Sequence, residues 1–174
     1  VLLLLHAHLP FVRHPEHEEF LEEDWLYEAI TESYLPILEM AEDLERERVP
    51  ARFSIALSPP LCEMLADPLL QTRYLRRLHR LLELAEKEVR RTAHDPLVNA
   101  TARMYLDSFR RARETFEDEH GRNILRGFRR LQDAGRIQVL TCGATHGFFP
   151  LIGRVEGVRA QVRVAARNYE RHFG

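Results

Sequence analysis

The sequence predicts an α/β fold in which parallel strands, joined by crossover helices, form the front part of a longer barrel. Three observations carry this expectation. Short, continuous apolar runs read as strands buried on both faces, the signature of parallel sheets. Helical stretches separate these runs, and alternation of buried strands with helices argues for parallel pairing through crossovers. Three strands are also too few to close a barrel or complete a doubly wound sheet, and strands buried on both faces need neighbours.

The elements follow in order. Val1-Leu-Leu-Leu-Leu-His-Ala-His-Leu9 is apolar except for two histidines and stops at Pro10, which predicts the first strand. Residues 11–23 read as a loop. A helix is expected from Asp24, as N-cap, to about Arg48, with Leu26, Ile30, Tyr34, Ile37, Leu38, Ala41 and Leu44 as its apolar stripe. Pro36 inside that stripe should kink or split it. Ala51–Ser58 alternates as a second strand closed by Pro59-Pro60. From Leu61 to Ala134 the pattern is helical, with breaks near Asp67-Pro68, Asp95-Pro96 and Gly121. Gly135 suits a helix C′ position, Arg136–Thr141 reads as a third strand, and Cys142–Pro150 as a loop. A closing helix is expected from about Arg154 to His172.

The 174 residues are 45% apolar and 30% charged, with 8 Gly and 9 Pro, which excludes collagen-like, low-complexity and disordered classes. A net charge of -2 offers no basic field for nucleic acid or anionic lipid. The longest apolar run, Val1 to Leu5, is far below the roughly 20 residues of a membrane span. Only Cys62 and Cys142 occur and no secretory pattern is visible, so a reducing cytoplasm is expected. The chain opens on Val1 without Met, which suggests a trimmed start. Lys87 is the only lysine among 25 basic residues; the arginines fit forked pairing with carboxylates, although a GC-rich genome gives the same bias.

Chemistry is expected at the carboxyl ends of the strands, where parallel sheets collect ligands. His6 and His8 are two apart and so face one way at the end of the first strand. The third strand ends in Thr141-Cys-Gly-Ala-Thr-His146-Gly147, a small-residue loop that lets a histidine approach a ligand. Three imidazoles from two strand ends are thus predicted to converge. Two polar rings on an apolar strand need partners, which separates this pair from an ordinary core histidine. Two chemistries fit. A metal-dependent amidohydrolase or deacetylase would use His6 and His8 as ligands. A carbohydrate site would use neutral imidazoles to bond sugar hydroxyls, with Trp25, Phe11, Phe148 or Phe149 stacking on sugar rings. His14, His17, His79, His94, His120 and His172 are expected on the surface, and the carboxylates of 16–24 and 39–47 on solvated faces. Cys142 reads as a packing residue.

Three blocks carry a family resemblance: His6-Ala-His-Leu-Pro-Phe11, Trp25-Leu-Tyr-Glu-Ala-Ile-Thr-Glu-Ser-Tyr-Leu-Pro36 and Ala144-Thr-His-Gly-Phe-Phe-Pro-Leu151. Together they resemble glycoside hydrolase family 57, and within it the 1,4-α-glucan branching enzymes. The resemblance runs in order over essentially the whole chain. It implies the N-terminal portion of an incomplete (β/α)7 barrel with helical insertions, residues 1–174 being the first part of one catalytic domain. It implies transfer of α-1,4-glucan segments to a 6-hydroxyl by a retaining double displacement, without metal or organic cofactor. The α-amylases and 4-α-glucanotransferases of the family are the alternatives; a glutamate that can occur in the second region in other activities is absent here, which favours branching. The catalytic glutamate and aspartate are expected C-terminal to Gly174, so these residues alone would be inactive. The partners implied are an amylose- or glycogen-like α-glucan and the rest of the same polypeptide. His6, His8 and His146 would line the donor subsite, with Trp25 as a stacking platform.

Overall fold

Three short strands form the frame: β1 (Leu4–Ala7), β2 (Phe53–Leu57) and β3 (Ile137–Leu140). In the computed structural model, which describes residues 2–174, they pair in parallel in the order β1-β2-β3. Val1, assigned by its apolarity to the first strand, lies outside the described residues. Leu5 faces Ile55 across the first pair and Ile55 faces Val139 across the second, so the three strands advance in step. Central β2 is buried on both faces, as its apolar run requires, with Ile55 and Leu57 inaccessible. The expectation of two-sided burial fails for β1. It is an edge strand, and Leu2, Leu3 and Leu4 are 85%, 49% and 54% exposed. The arrangement is that of an open parallel sheet with helical crossovers.

The helix after the first loop begins two residues earlier than expected. Helix α1 covers Glu23–Ala29, and its N-cap is Glu22, without a side-chain cap bond. Asp24 is not the cap; it sits in the first turn and pairs with Arg77. The break expected at Pro36 is a wide π-helical turn over Ile30–Tyr34, followed by α2 (Leu35–Arg46). Proline cannot donate to the carbonyl four residues back and crowds it, and the widened turn just before Pro36 relieves that contact. Leu26, Ile30, Tyr34, Leu38 and Ala41 enter the core as predicted.

After β2 come α3 (Pro59–Ala66), α4 (Pro68–Arg91), α5 (Pro96–Glu114), a second π-helical turn (Thr115–Glu119) and α6 (Leu125–Asp133). Both long helices start on an Asp-Pro pair. Asp67 accepts from the Leu69 and Leu70 amides at 2.8 and 3.1 Å, and Asp95 does the same for α5. Proline then occupies the first helical position, where no donor is needed. Gly135 (φ +68) ends α6 in the left-handed region. A last helix, α7 (Val155–Phe173), follows a short 3-10 turn (Phe149–Leu151) and packs on α3 and α6. Among the described residues no helix is long and apolar enough to cross a membrane.

The carboxylates of 16–24 are not all on a solvated face. Glu23 is 1% exposed and pairs with Arg73, itself 8% exposed, at 2.5 Å. Glu23 also accepts from the Tyr27 hydroxyl (2.8 Å) and the His14 amide (3.0 Å). Arg73 donates in turn to the carbonyl oxygens of His14 and His17. One buried ion pair therefore fastens the whole 13–23 loop to α4. Removing one partner strands the other charge in a dry place. Arg73→Ala should lower the unfolding free energy by about 3 kcal/mol. Urea denaturation measures this, and a loss below about 1 kcal/mol would show that the pair is solvated.

Candidate functional site

Parallel strands in step release their chains at one edge, and that edge carries the histidines. His6 is in β1, opposite Ala56, and His8 follows one residue beyond the strand. Ser58 follows β2, and its amide donates to the carbonyl of Ala7 (3.2 Å), extending the ladder by one rung. The Ser58 hydroxyl is completely buried and bonds His8 Nδ1 at 2.8 Å. Ser58 is also the N-cap of α3, yet makes no side-chain cap bond. The reason lies in the next two residues. Pro59 and Pro60 carry no amide hydrogens, so the donors that a serine cap would normally satisfy are reduced and its hydroxyl is free for the imidazole.

The third histidine arrives from the loop after β3. His146 adopts φ +57, a left-handed conformation that histidine tolerates better than most residues. Gln161 of α7 pins this loop: its side chain accepts from the Thr145 amide and donates to the Thr145 hydroxyl, both at 2.8 Å. Its carbonyl oxygen also accepts from the Ala144 amide at 3.2 Å. Gly143 leaves room for the Phe149 ring, whose Cε1 would lie 2.6 Å from an added Cβ.

The predicted convergence is present. His6 Nε2 and His146 Nε2 are 3.1 Å apart, and His8 stacks on His146 with ring centroids 4.0 Å apart. The His6–His146 contact needs one ring to donate and the other to accept, so at least one of the two is neutral. Desolvation by burial, with the neighbouring His146 and His6 adding to it, lowers the His8 pKa from its ordinary 6.5. His6 Nδ1, His146 Nδ1 and His8 Nε2 have no hydrogen-bond partner among the described residues. These three nitrogens are what the cluster can offer a ligand.

A cleft of about 840 Å³ opens beside His8. Phe11, Pro59 and Pro60 form its apolar side, while Arg167, Asn168 and Arg171 of α7 face them. Glu63 is its one carboxylate, and its oxygens are engaged by Asn168 (2.7 Å), Arg171 (3.1 Å) and His172 (3.2 Å). Trp25 is on α1, 48% exposed, and does not line this cleft. Phe148 is 68% exposed and Phe149 packs over Gly143. Burial raises the Cys142 thiol pKa, which agrees with a packing role. Sequence reading missed Ser58, Glu63, Asn168 and Gln161. The Ser-Pro-Pro after β2 was the visible clue to Ser58. Val164, Arg167, Asn168 and Arg171 do follow a helical face, but nothing in that face names its partner. His172, expected on the surface, is nearly buried against Glu63, and His14 is half-buried on the Phe20 ring.

Comparison with known proteins adds to this geometry. The description "Glycosyl hydrolase family 57" matches residues 2–174. The chain is 36% identical over 171 residues to the 1,4-alpha-glucan branching enzyme of Thermococcus kodakarensis, covering 98% of this chain and 25% of that protein. It superposes on the crystal structure of the alpha-amylase AmyC from Thermotoga maritima with a TM-score of 0.94 at 44% identity, over 99% of this chain and 33% of that one. It superposes on the branching enzyme of Thermococcus kodakarensis, solved with glucose and additives, with a TM-score of 0.91 at 33% identity, over 99% and 30%. For the family 57 branching enzyme of Pyrococcus horikoshii the TM-score is 0.90 at 34% identity, over 99% and 32%. The chain thus spans a quarter to a third of the length of these relatives.

The depressed His8 pKa has a thermodynamic consequence. Folded His8 takes a proton less readily than the same residue in the unfolded chain, so as the pH drops below about 6.5 the unfolded state binds more protons and stability decreases with acidification. An NMR titration should place the His8 midpoint below 6.5. Denaturation at pH 7 and pH 5 should show a smaller acid loss in His8→Gln than in the parent. A midpoint at or above the ordinary value would refute the burial argument.

Proposed function

Since the chain belongs to glycosyl hydrolase family 57, we propose that it serves a 1,4-α-glucan branching enzyme, binding the sugar whose bond is broken and transferred. Members of this family are glycoside-active enzymes, and the fold of this chain is that of the N-terminal part of theirs. The observation that carries the reading is the meeting of His6, His8 and His146 at one strand edge, with three ring nitrogens left for a ligand. A sugar hydroxyl both donates and accepts, and so does a neutral imidazole. Each free nitrogen then matches a hydroxyl in either tautomer, and a cluster of such rings reads the pattern of hydroxyls around one glucose unit.

The reaction we assign is a retaining double displacement. A carboxylate attacks the anomeric carbon while a second carboxyl protonates the departing glycosidic oxygen, and a 6-hydroxyl of another glucan chain replaces water in the second step. Such pairs stand about 5 Å apart. The cleft here presents Glu63 alone, tied to three partners on α7. The role of these residues is therefore to bind and orient, and the reacting pair is assigned to other parts of the polypeptide. Trp25 and Phe11, both exposed, are the aromatic faces we assign to stacking on neighbouring glucose rings.

A second reading is α-amylase-type hydrolysis, favoured by the similarity to AmyC at 44% identity. The metal-hydrolase reading of His6 and His8 has less support. The strand-end histidines are not among the groups of three or more metal-type donors brought within 4.8 Å of one another in the described residues.

Incubating the full-length protein with amylose and analysing the linkages separates these readings. Branching predicts new α-1,6 bonds with few new reducing ends; hydrolysis predicts reducing ends without branches, which would overturn the branching assignment. His6→Ala or His146→Ala should lower kcat/KM by roughly 10- to 100-fold, the effect of a lost buried hydrogen bond to substrate.

A further inference from the structure

A second cluster of donor atoms lies outside the cleft. Glu42 comes from α2, Glu119 ends the π-helical turn after α5, and His120 follows it. One ligating atom from each lies within 4.8 Å of the other two. His120, expected on the surface, is instead 7% exposed, and its buried Nε2 has no hydrogen-bond partner among the described residues. A neutral imidazole buried without partners costs free energy unless something else uses its lone pair. The backbone of α6 is shaped for this ring. A Cβ added at Gly127 would stand 2.7 Å from His120 Cε1, so only glycine lets the ring sit there. The wide turn over Thr115–Glu119 is itself a feature that marks functional places more often than ordinary helix.

We propose that Glu42, Glu119 and His120 form a zinc site that ties α2 to the turn after α5. One imidazole nitrogen and two carboxylate oxygens suit zinc, with water as a fourth ligand, whereas calcium and magnesium prefer larger, all-oxygen sets. Glu42, Glu119 and His120 line, together with Asp118, Arg126 and Arg130, a cavity of about 470 Å³ that admits that water. Bonds of about 2.1 Å place tetrahedral ligands about 3.4 Å apart, so the cluster closes by roughly 1 Å on binding. Glu119 is exposed and free to turn inward. Glu42 is held by Arg130 at 2.7 Å, and Arg130 keeps Glu45, at 2.8 Å, when Glu42 swings to the ion.

The test uses full-length protein stripped of metal and titrated with zinc chloride by calorimetry. It is done in a His6→Ala/His146→Ala background, so that zinc captured by the strand-end imidazoles is not counted. One zinc per chain is expected. Glu119→Gln, an exposed substitution compatible with folding, should weaken its binding at least tenfold, as should His120→Gln. Saturating zinc should raise the unfolding midpoint of the background protein by roughly 5 °C and leave the Glu119→Gln variant unmoved. Absence of zinc binding in the background protein, or binding and stabilisation unchanged by Glu119→Gln, overturns the site.

Discussion

The parallel register of the three strands is the constraint on which everything else depends. With Leu5 opposite Ile55 and Ile55 opposite Val139, all three chains leave the sheet along one edge. A slip of one residue in β1 would turn His6 and His8 to the other face and put Ala7 and Leu9 in their place. The bond between His8 and Ser58 opposes such a slip, because it exists only when the residues after β1 and β2 lie side by side. The site thus helps to hold the register that builds it. The double proline after Ser58 belongs to the same device, since it starts α3 without consuming the hydroxyl that His8 uses.

This explains why some of the molecule was legible in the sequence and some was not. The spacing of His6 and His8 has one meaning on an extended chain, and strand ends in a parallel sheet have one destination, so their meeting with His146 follows from local pattern plus topology. The Asp-Pro starts of α4 and α5 are likewise local, because cap and first turn are adjacent in sequence. The larger failures concern partners away along the chain. Glu23 looks like any carboxylate in an acidic stretch until Arg73, fifty positions on, closes over it. His120 sits in a charged segment, and its burial depends on the close approach of Gly127 from α6, seven positions on. Asp24 loses the cap position because the chain turns helical two residues earlier than its polarity suggests, which leaves it in the first turn beside Arg77. The two-sided burial expected of β1 fails because the edge has no fourth strand beside it among the described residues.

The abundance of arginine acquires a specific meaning at Arg73. Its guanidinium serves Glu23 and two backbone carbonyl oxygens at once, in a fork that a single ammonium could not match in direction. Outer pairs such as Arg80 with Glu19 or Arg91 with Glu88 lie in solvent and contribute little individually. Composition alone makes the two kinds alike. Burial separates them, and the buried one fixes the loop that carries the chain from β1 to α1.

The electrostatics of the strand edge narrow what it is suited to hold. A subsite for a phosphorylated sugar would need cationic groups aimed at the anion, such as fixed arginines or protonated imidazoles. Here His8 is pushed toward the neutral form, and the His6–His146 contact demands a neutral partner. Arg171, on the far wall, points its charge into Glu63. Arg167, on the same wall, is exposed and has no carboxylate partner fixing it among the described residues. The histidine cluster leaves free ring nitrogens that can donate or accept, next to an apolar wall of Phe11 and two prolines. Uncharged hydroxyls on a ring with apolar faces complement both surfaces, and a glucan chain repeats that pattern at every unit. The hydrogen-bonding rings beside an apolar wall, more than the number of histidines, are what favour a glucan over a charged ligand.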